Sequence, residues 1–175
     1  MTDSHTSEFH DERSISHKRF VTPLAFSSMY DTVLAPTDGS DGSHAALKHA
    51  LDLASTYDAT LHTQYVVESS PAFAADLDDA TEEEVYGSLY DAGRRTVEEV
   101  TARADAAGID DVETSVDRGV PHEEILAYVD EHDVDLVVMA TAGRTGSSRE
   151  LIGSVAERVV RASPAPVVTV NAHGD

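Results

Sequence analysis

From Tyr30 onward, short apolar runs alternate with longer segments whose apolar residues recur at helical spacing. This alternation restricts the chain to a sheet covered by helices. The runs predict strands over 32–36, 60–67, 112–116, 134–140 and 167–170. Between them, Ala46, Leu47, Ala50, Leu51 and Ala54 form one helical stripe that ends near Tyr57. Thr81 with Glu84 reads as a capping box for a long helix carrying Val85, Leu89, Val97, Val100 and Ala104, stopped by Gly108. Pro121 suits the first position of a helix bearing Ile125, Leu126 and Val129. A last helix spans about Ser154 to Ala162 and is closed by Pro164-Ala165-Pro166. Strands this continuously apolar are buried on both faces, as in parallel sheets whose crossovers are helices. The expected fold is a single α/β domain: a five-stranded parallel sheet of order 3-2-1-4-5 with helices on both faces.

In such Rossmann-like sheets a ligand sits beyond the carboxyl ends of the strands, where the strand order reverses. Those ends carry Pro36-Thr37-Asp38, Val67-Glu68 and a Gly-rich loop that follows Ala140. The loop runs through Gly143, Arg144 and Gly146 to Gly153, and a helix opens at Ser154-Val155. Glycine lets the backbone approach an oxyanion, and the first-turn N–H groups of a helix attract negative charge, so the pattern points to a nucleotide phosphate. Arg144, Arg149, Arg158 and Arg161 gather a third of the 12 basic residues into this segment. Arg158 and Arg161 fall late in the helix and suit its negative end, which leaves Arg144 and Arg149 as the phosphate neighbours. The same residues also have structural readings. Ser154 with Glu157 forms a capping box, and Asp38-Gly39-Ser40 is a turn with Ser40 as N-cap. No Lys-Ser or Lys-Thr follows the glycines and no acid is set to position a water, so at most slow hydrolysis is expected.

Charge narrows the partners. Acidic residues number 33 and the formal net charge is −21, with Lys18 and Lys48 the two lysines. A surface this anionic repels nucleic acid and anionic lipid, so neither is expected as a partner. The Asp-rich, Lys-poor composition suits a cytoplasm of high salt, where self-repulsion is screened. The chain has no cysteine, which excludes disulfides and thiolate metal sites. No apolar run reaches membrane-spanning length. Residues 1–28, with His5, His10 and His17 among polar residues, read as a disordered tail, and Met29 offers a second start before a domain over 29–172. Loops 69–79 and 144–150 are the candidate lids. His44, His49, His62, His122 and His132 show no ligand spacing and read as surface or packing residues, so no metal site is expected. Glu82-Glu83-Glu84 reads as a solvated helix start.

From Met29 to Asn171 these residues resemble the universal stress protein family. The opening Tyr30-Asp31-Thr32-Val33-Leu34-Ala35-Pro36-Thr37-Asp38-Gly39-Ser40 is similar to the family's first strand and turn, and Gly119-Val120-Pro121-His122-Glu123-Glu124-Ile125 to a later strand-to-helix junction. Gly143, nine residues, Gly153 and Ser154 fit its ATP-binding pattern, in which a further glycine precedes Gly143 by three positions. Here that position is Ala140, and the histidine often found before Gly143 is Ala142. The resemblance implies that Asp38 and Val66 border an adenosine beside Thr37, between apolar walls from Pro36 and Met139. Ala140 would lie near the ribose and phosphates, and Gly143, Arg144, Gly153, Ser154 and Val155 would receive the phosphates. It implies an ATP-binding stress-response switch, with magnesium as an accompanying ion, and a homodimer joined through the last strand. The other reading is a nucleotide-free dimeric interaction protein, for which Ala140 is the discriminating feature.

Overall fold

The structure, a computed structural model, describes residues 28–69, 79–142 and 152–171, with the backbone alone for residues 79–82. The tail before Ser28, Gly143, most of the candidate lid 69–79 and all of 144–150, with Arg144 and Arg149, lie outside the described residues. The chain runs β1 (Thr32–Pro36), α1 (Asp41–Tyr57), β2 (Thr60–Glu68), α2 (Asp79–Ala106), β3 (Val112–Gly119), α3 (Pro121–Glu131), β4 (Leu136–Ala140), α4 (Ser154–Ala162) and β5 (Val167–Val170). The strands form one sheet of order β3-β2-β1-β4-β5 with every neighbouring pair parallel, the expected fold.

Period-two alternation divides the sheet between two helical layers. Val33, Ala35, Leu61, Leu136 and Val138 pack against Ala46, Leu47, Ala50 and Ala54 of α1 and against Val100 and Ala104 of α2. Leu34, Val137 and Met139 face the other way, onto Ile125, Tyr128 and Val129 of α3 and Ala156 and Val159 of α4. A third cluster joins Tyr65 and Val67 of β2 to Tyr86 and Val97 of α2. Thus β1, β2 and β4 are covered on both faces.

Helix ends follow their residues. Asp38 Oδ1 accepts from Ser40 N–H at 3.0 Å while Gly39 takes φ +74°, and Ser40 Oγ accepts from Ser43 N–H at 3.2 Å, so Ser40 caps α1. Its far end closes on Asp58, left-handed at φ 56°. Gly108, at φ +80°, turns the chain after α2.

Several boundaries differ from expectation. Helix α2 begins at Asp79, which places Thr81 inside the first turn instead of at the cap. Strand β3 continues to Gly119 because its ladder with β2 runs to the pair Glu68 and Gly119, although its half-exposed residues lack an apolar pattern. Strand β4 starts at Leu136 and not at Val134: the Asp135 carboxylate accepts the N–H groups of Asp31 and Thr32 at 2.8 and 2.9 Å, which ties this turn to the start of β1.

Candidate functional site

At the carboxyl ends of the strands the chain encloses a cavity of about 390 Å³, a volume that suits a small-molecule ligand. Pro36, Thr37 and Asp38 line it from the end of β1 and Val66 from β2. Met139 and Ala140 line it from β4, and Gly153, Ser154 and Val155 from the start of α4. The three strand ends named from sequence therefore meet in one crevice.

Parallel pairing sets this geometry. Thr37 continues the β1–β2 contact by donating its N–H to Gln64 O at 2.9 Å, and its hydroxyl donates to Ser43 Oγ at 3.2 Å. The Asp38 carboxylate is held by the turn into α1. Pro36, Met139 and Ile125 give the cavity apolar lining, while Thr37, Asp38 and Ser154 supply polar groups.

Helix α4 opens differently from the expected capping box. Its N-cap is Gly153, in extended backbone at φ −77° and ψ 159°, with no side-chain cap to the first-turn N–H groups among the described residues, and Ser154 is the first helical residue. Gly153 donates its N–H to Thr141 O, which docks the helix start on the end of β4. A Cβ added there would stand 3.1 Å from that carbonyl oxygen, so glycine permits the close approach. An uncapped start of this kind presents N–H donors and the positive end of the helix dipole at the cavity. Farther along, Arg161 pairs with Glu157 at 3.0 Å, and Arg158 lies 3.4 Å from His122 Nε2. Arg161 is the one that falls in the last turn of the helix, whereas Arg158 sits mid-helix and reaches across to α3.

The Ala140 side chain is accommodated on the α1 side. It is partly buried against the cluster formed by Val33, Leu136, Val138 and α1, together with Val170. The residue thus borders the cavity while its methyl contributes to the core.

Gln64, Pro121 and Leu89 also line the cavity, though the sequence did not point to them as site residues. Gln64 is 2% exposed. Its Nε2 donates to Asp117 Oδ2 at 2.8 Å and to Glu124 O at 3.3 Å, and its buried Oε1 has no hydrogen-bond partner among the described residues. The signal was present: His62, Thr63 and Gln64 are polar residues in the middle of a strand buried on both faces. Each needs a partner there.

Comparison with known proteins agrees with this arrangement. The sequence profile of the Universal stress protein family matches residues 29–171. Universal stress protein MJ0531 of Methanocaldococcus jannaschii is 37% identical over 143 residues, which cover 82% of this chain and 83% of that protein. The solved structure of protein MJ0577 superposes with a TM-score of 0.74 at 26% identity, covering 84% of this chain and 99% of that one. A universal stress protein solved in complex with cAMP superposes with a TM-score of 0.59 at 29% identity, covering 82% and 98%. A family match over this span, joined to the strand order and the cavity at the strand ends, has one reading: the chain belongs to the universal stress protein family.

Proposed function

We propose that the cavity binds an adenine nucleotide, ATP being the first candidate, and that the protein acts as a nucleotide-dependent switch in a stress response. The carrying observation is the start of α4, where the N-cap Gly153 makes no side-chain cap, at a cavity that Pro36, Ile125 and Met139 also line with apolar groups. Phosphate oxygens satisfy the first-turn N–H groups of Ser154 and Val155 and the Ser154 hydroxyl. The base lies between Pro36 and Met139 beside Val66, and the ribose hydroxyls reach Asp38 next to Thr37 and Ala140. Gly143 and Arg144 complete the phosphate site, and magnesium accompanies the phosphates. A related protein in complex with cAMP supports the same ligand class.

The second part of the proposal is a homodimer through β5. This strand pairs with β4 on one side, and Val168, 38% exposed, lies on it; Val160, 46% exposed, lies on the neighbouring α4. An apolar sheet edge calls for cover. No helix of the described residues is long and apolar enough to cross a membrane.

The test is calorimetric titration of the full chain in molar potassium chloride with ATP, AMP and cAMP, beside Ser154→Asp. An aspartate in the first helical turn suits the dipole and preserves the fold, but it repels a phosphate. Binding by the wild type that is reduced at least about tenfold in Ser154→Asp supports the site, a change of about 1.4 kcal/mol. Absence of binding by all three nucleotides, or equal binding by the variant, overturns it.

A further inference from the structure

At the opposite end of β2, three side chains converge that the nucleotide site does not use. His62 is the third residue of β2, Glu113 is its register partner on β3, and His132 follows the last turn of α3 as its C-cap. One ligating atom from each lies within 4.8 Å of those of the other two. His62 is buried at 6% exposure, whereas Glu113 and His132 are exposed. Along β2, His62 lies two residues before Gln64, the first residue of the strand to line the cavity, about 7 Å at the rise of a parallel strand.

We propose that His62, Glu113 and His132 hold a divalent transition-metal ion of the zinc class. Two imidazoles and one carboxylate form a borderline ligand set that selects zinc and its neighbours over magnesium or calcium, with water in the remaining positions. The surroundings are built for such a set. Tyr128 Oη lies 2.9 Å from His62 Nδ1, so the phenol orients the buried ring and leaves Nε2 for the ion, the second contact that metal-bound histidines regularly make. Tyr128 also stacks on His132, with ring centroids 3.9 Å apart, and so steers the second imidazole. Burial lowers the His62 pKa against the opposing pull of Glu113. Burial also pushes the Tyr128 phenol up to about 12, so it stays protonated. The two exposed ligands have freedom to close onto an ion about 2 Å from each donor, and their exposure supplies the entry path.

The test uses the full chain, freed of metal by chelator, titrated with Zn²⁺ by calorimetry and with Co²⁺ by its visible absorption. His132→Ala and Glu113→Gln alter exposed side chains, and circular dichroism verifies that each variant is folded. A third variant, His5→Ala/His10→Ala/His17→Ala, separates this site from metal capture by the tail. The expected result is one tight equivalent in the wild type and in the tail variant, weakened at least about tenfold in each ligand variant with loss of the Co²⁺ bands. Absence of tight binding in the wild type overturns the proposal. So does affinity unchanged by His132→Ala and Glu113→Gln, or binding lost with the tail histidines.

Discussion

Gly153 donates its backbone N–H to the carbonyl of Thr141, so the start of α4 is fastened directly to the end of β4. The fastening needs a residue without a side chain, since a Cβ at 153 would lie 3.1 Å from the Thr141 oxygen and 3.6 Å from Ala142 Cα. The backbone at 153 is extended, so any cost of substitution comes from contact and not from φ.

Gly153→Ala is therefore expected to lower stability by about 1 kcal/mol through local overpacking. Under the proposed function it also weakens ATP by shifting the first-turn N–H groups. Thermal melting and calorimetry on the same variant measure both effects, and an unchanged melting temperature would refute the contact argument.

Ala140→Gly separates the two roles of that residue. Its methyl packs into the α1-side core, so removal is expected to cost about 0.5–1 kcal/mol through lost contact and added chain entropy. Nucleotide affinity should change by less than about threefold, or ~0.65 kcal/mol. A gain of tenfold or more would show that the methyl obstructs the cavity.

Asp135 joins the turn before β4 to the start of β1 through two charge-assisted hydrogen bonds, at 2.8 Å to Asp31 N–H and 2.9 Å to Thr32 N–H. Asp135→Ala is expected to destabilise the fold by about 1–3 kcal/mol, and Asp135→Asn, which keeps an acceptor, by less. Denaturant unfolding of the pair would count against this clasp if both variants lost the same amount.

The net charge of −21 predicts a strong dependence on salt. Self-repulsion over a surface with few cations is screened as ionic strength rises, so the melting temperature should climb between dilute buffer and molar potassium chloride. A melting temperature flat across that range would sink the high-salt reading.

Most of the architecture is readable along the chain because each signal is local. The strand over 32–36, the Ser40 cap, Pro121 at the head of α3 and the helix over 154–162 rest on residues within a turn or two of one another. The carboxyl strand ends follow as a site because parallel strands with helical crossovers place those ends together. Boundaries set by distant partners are less legible. The length of β3 depends on β2, and the late start of β4 depends on Asp135 reaching β1.

Periodicity, caps and charge thus specify the α/β layers, the Gly-rich approach to α4 and the anionic surface, since all three are properties of neighbouring residues or of their sum. Which polar residues share an environment is a property of packing. His62, Glu113 and His132 come from two strands and a helix end, and no spacing along the chain encodes their meeting. The side to which the Ala140 methyl turns, and the choice of Gly153 over Ser154 as the cap of α4, likewise depend on contacts that exist once the sheet has brought β4 and α4 together.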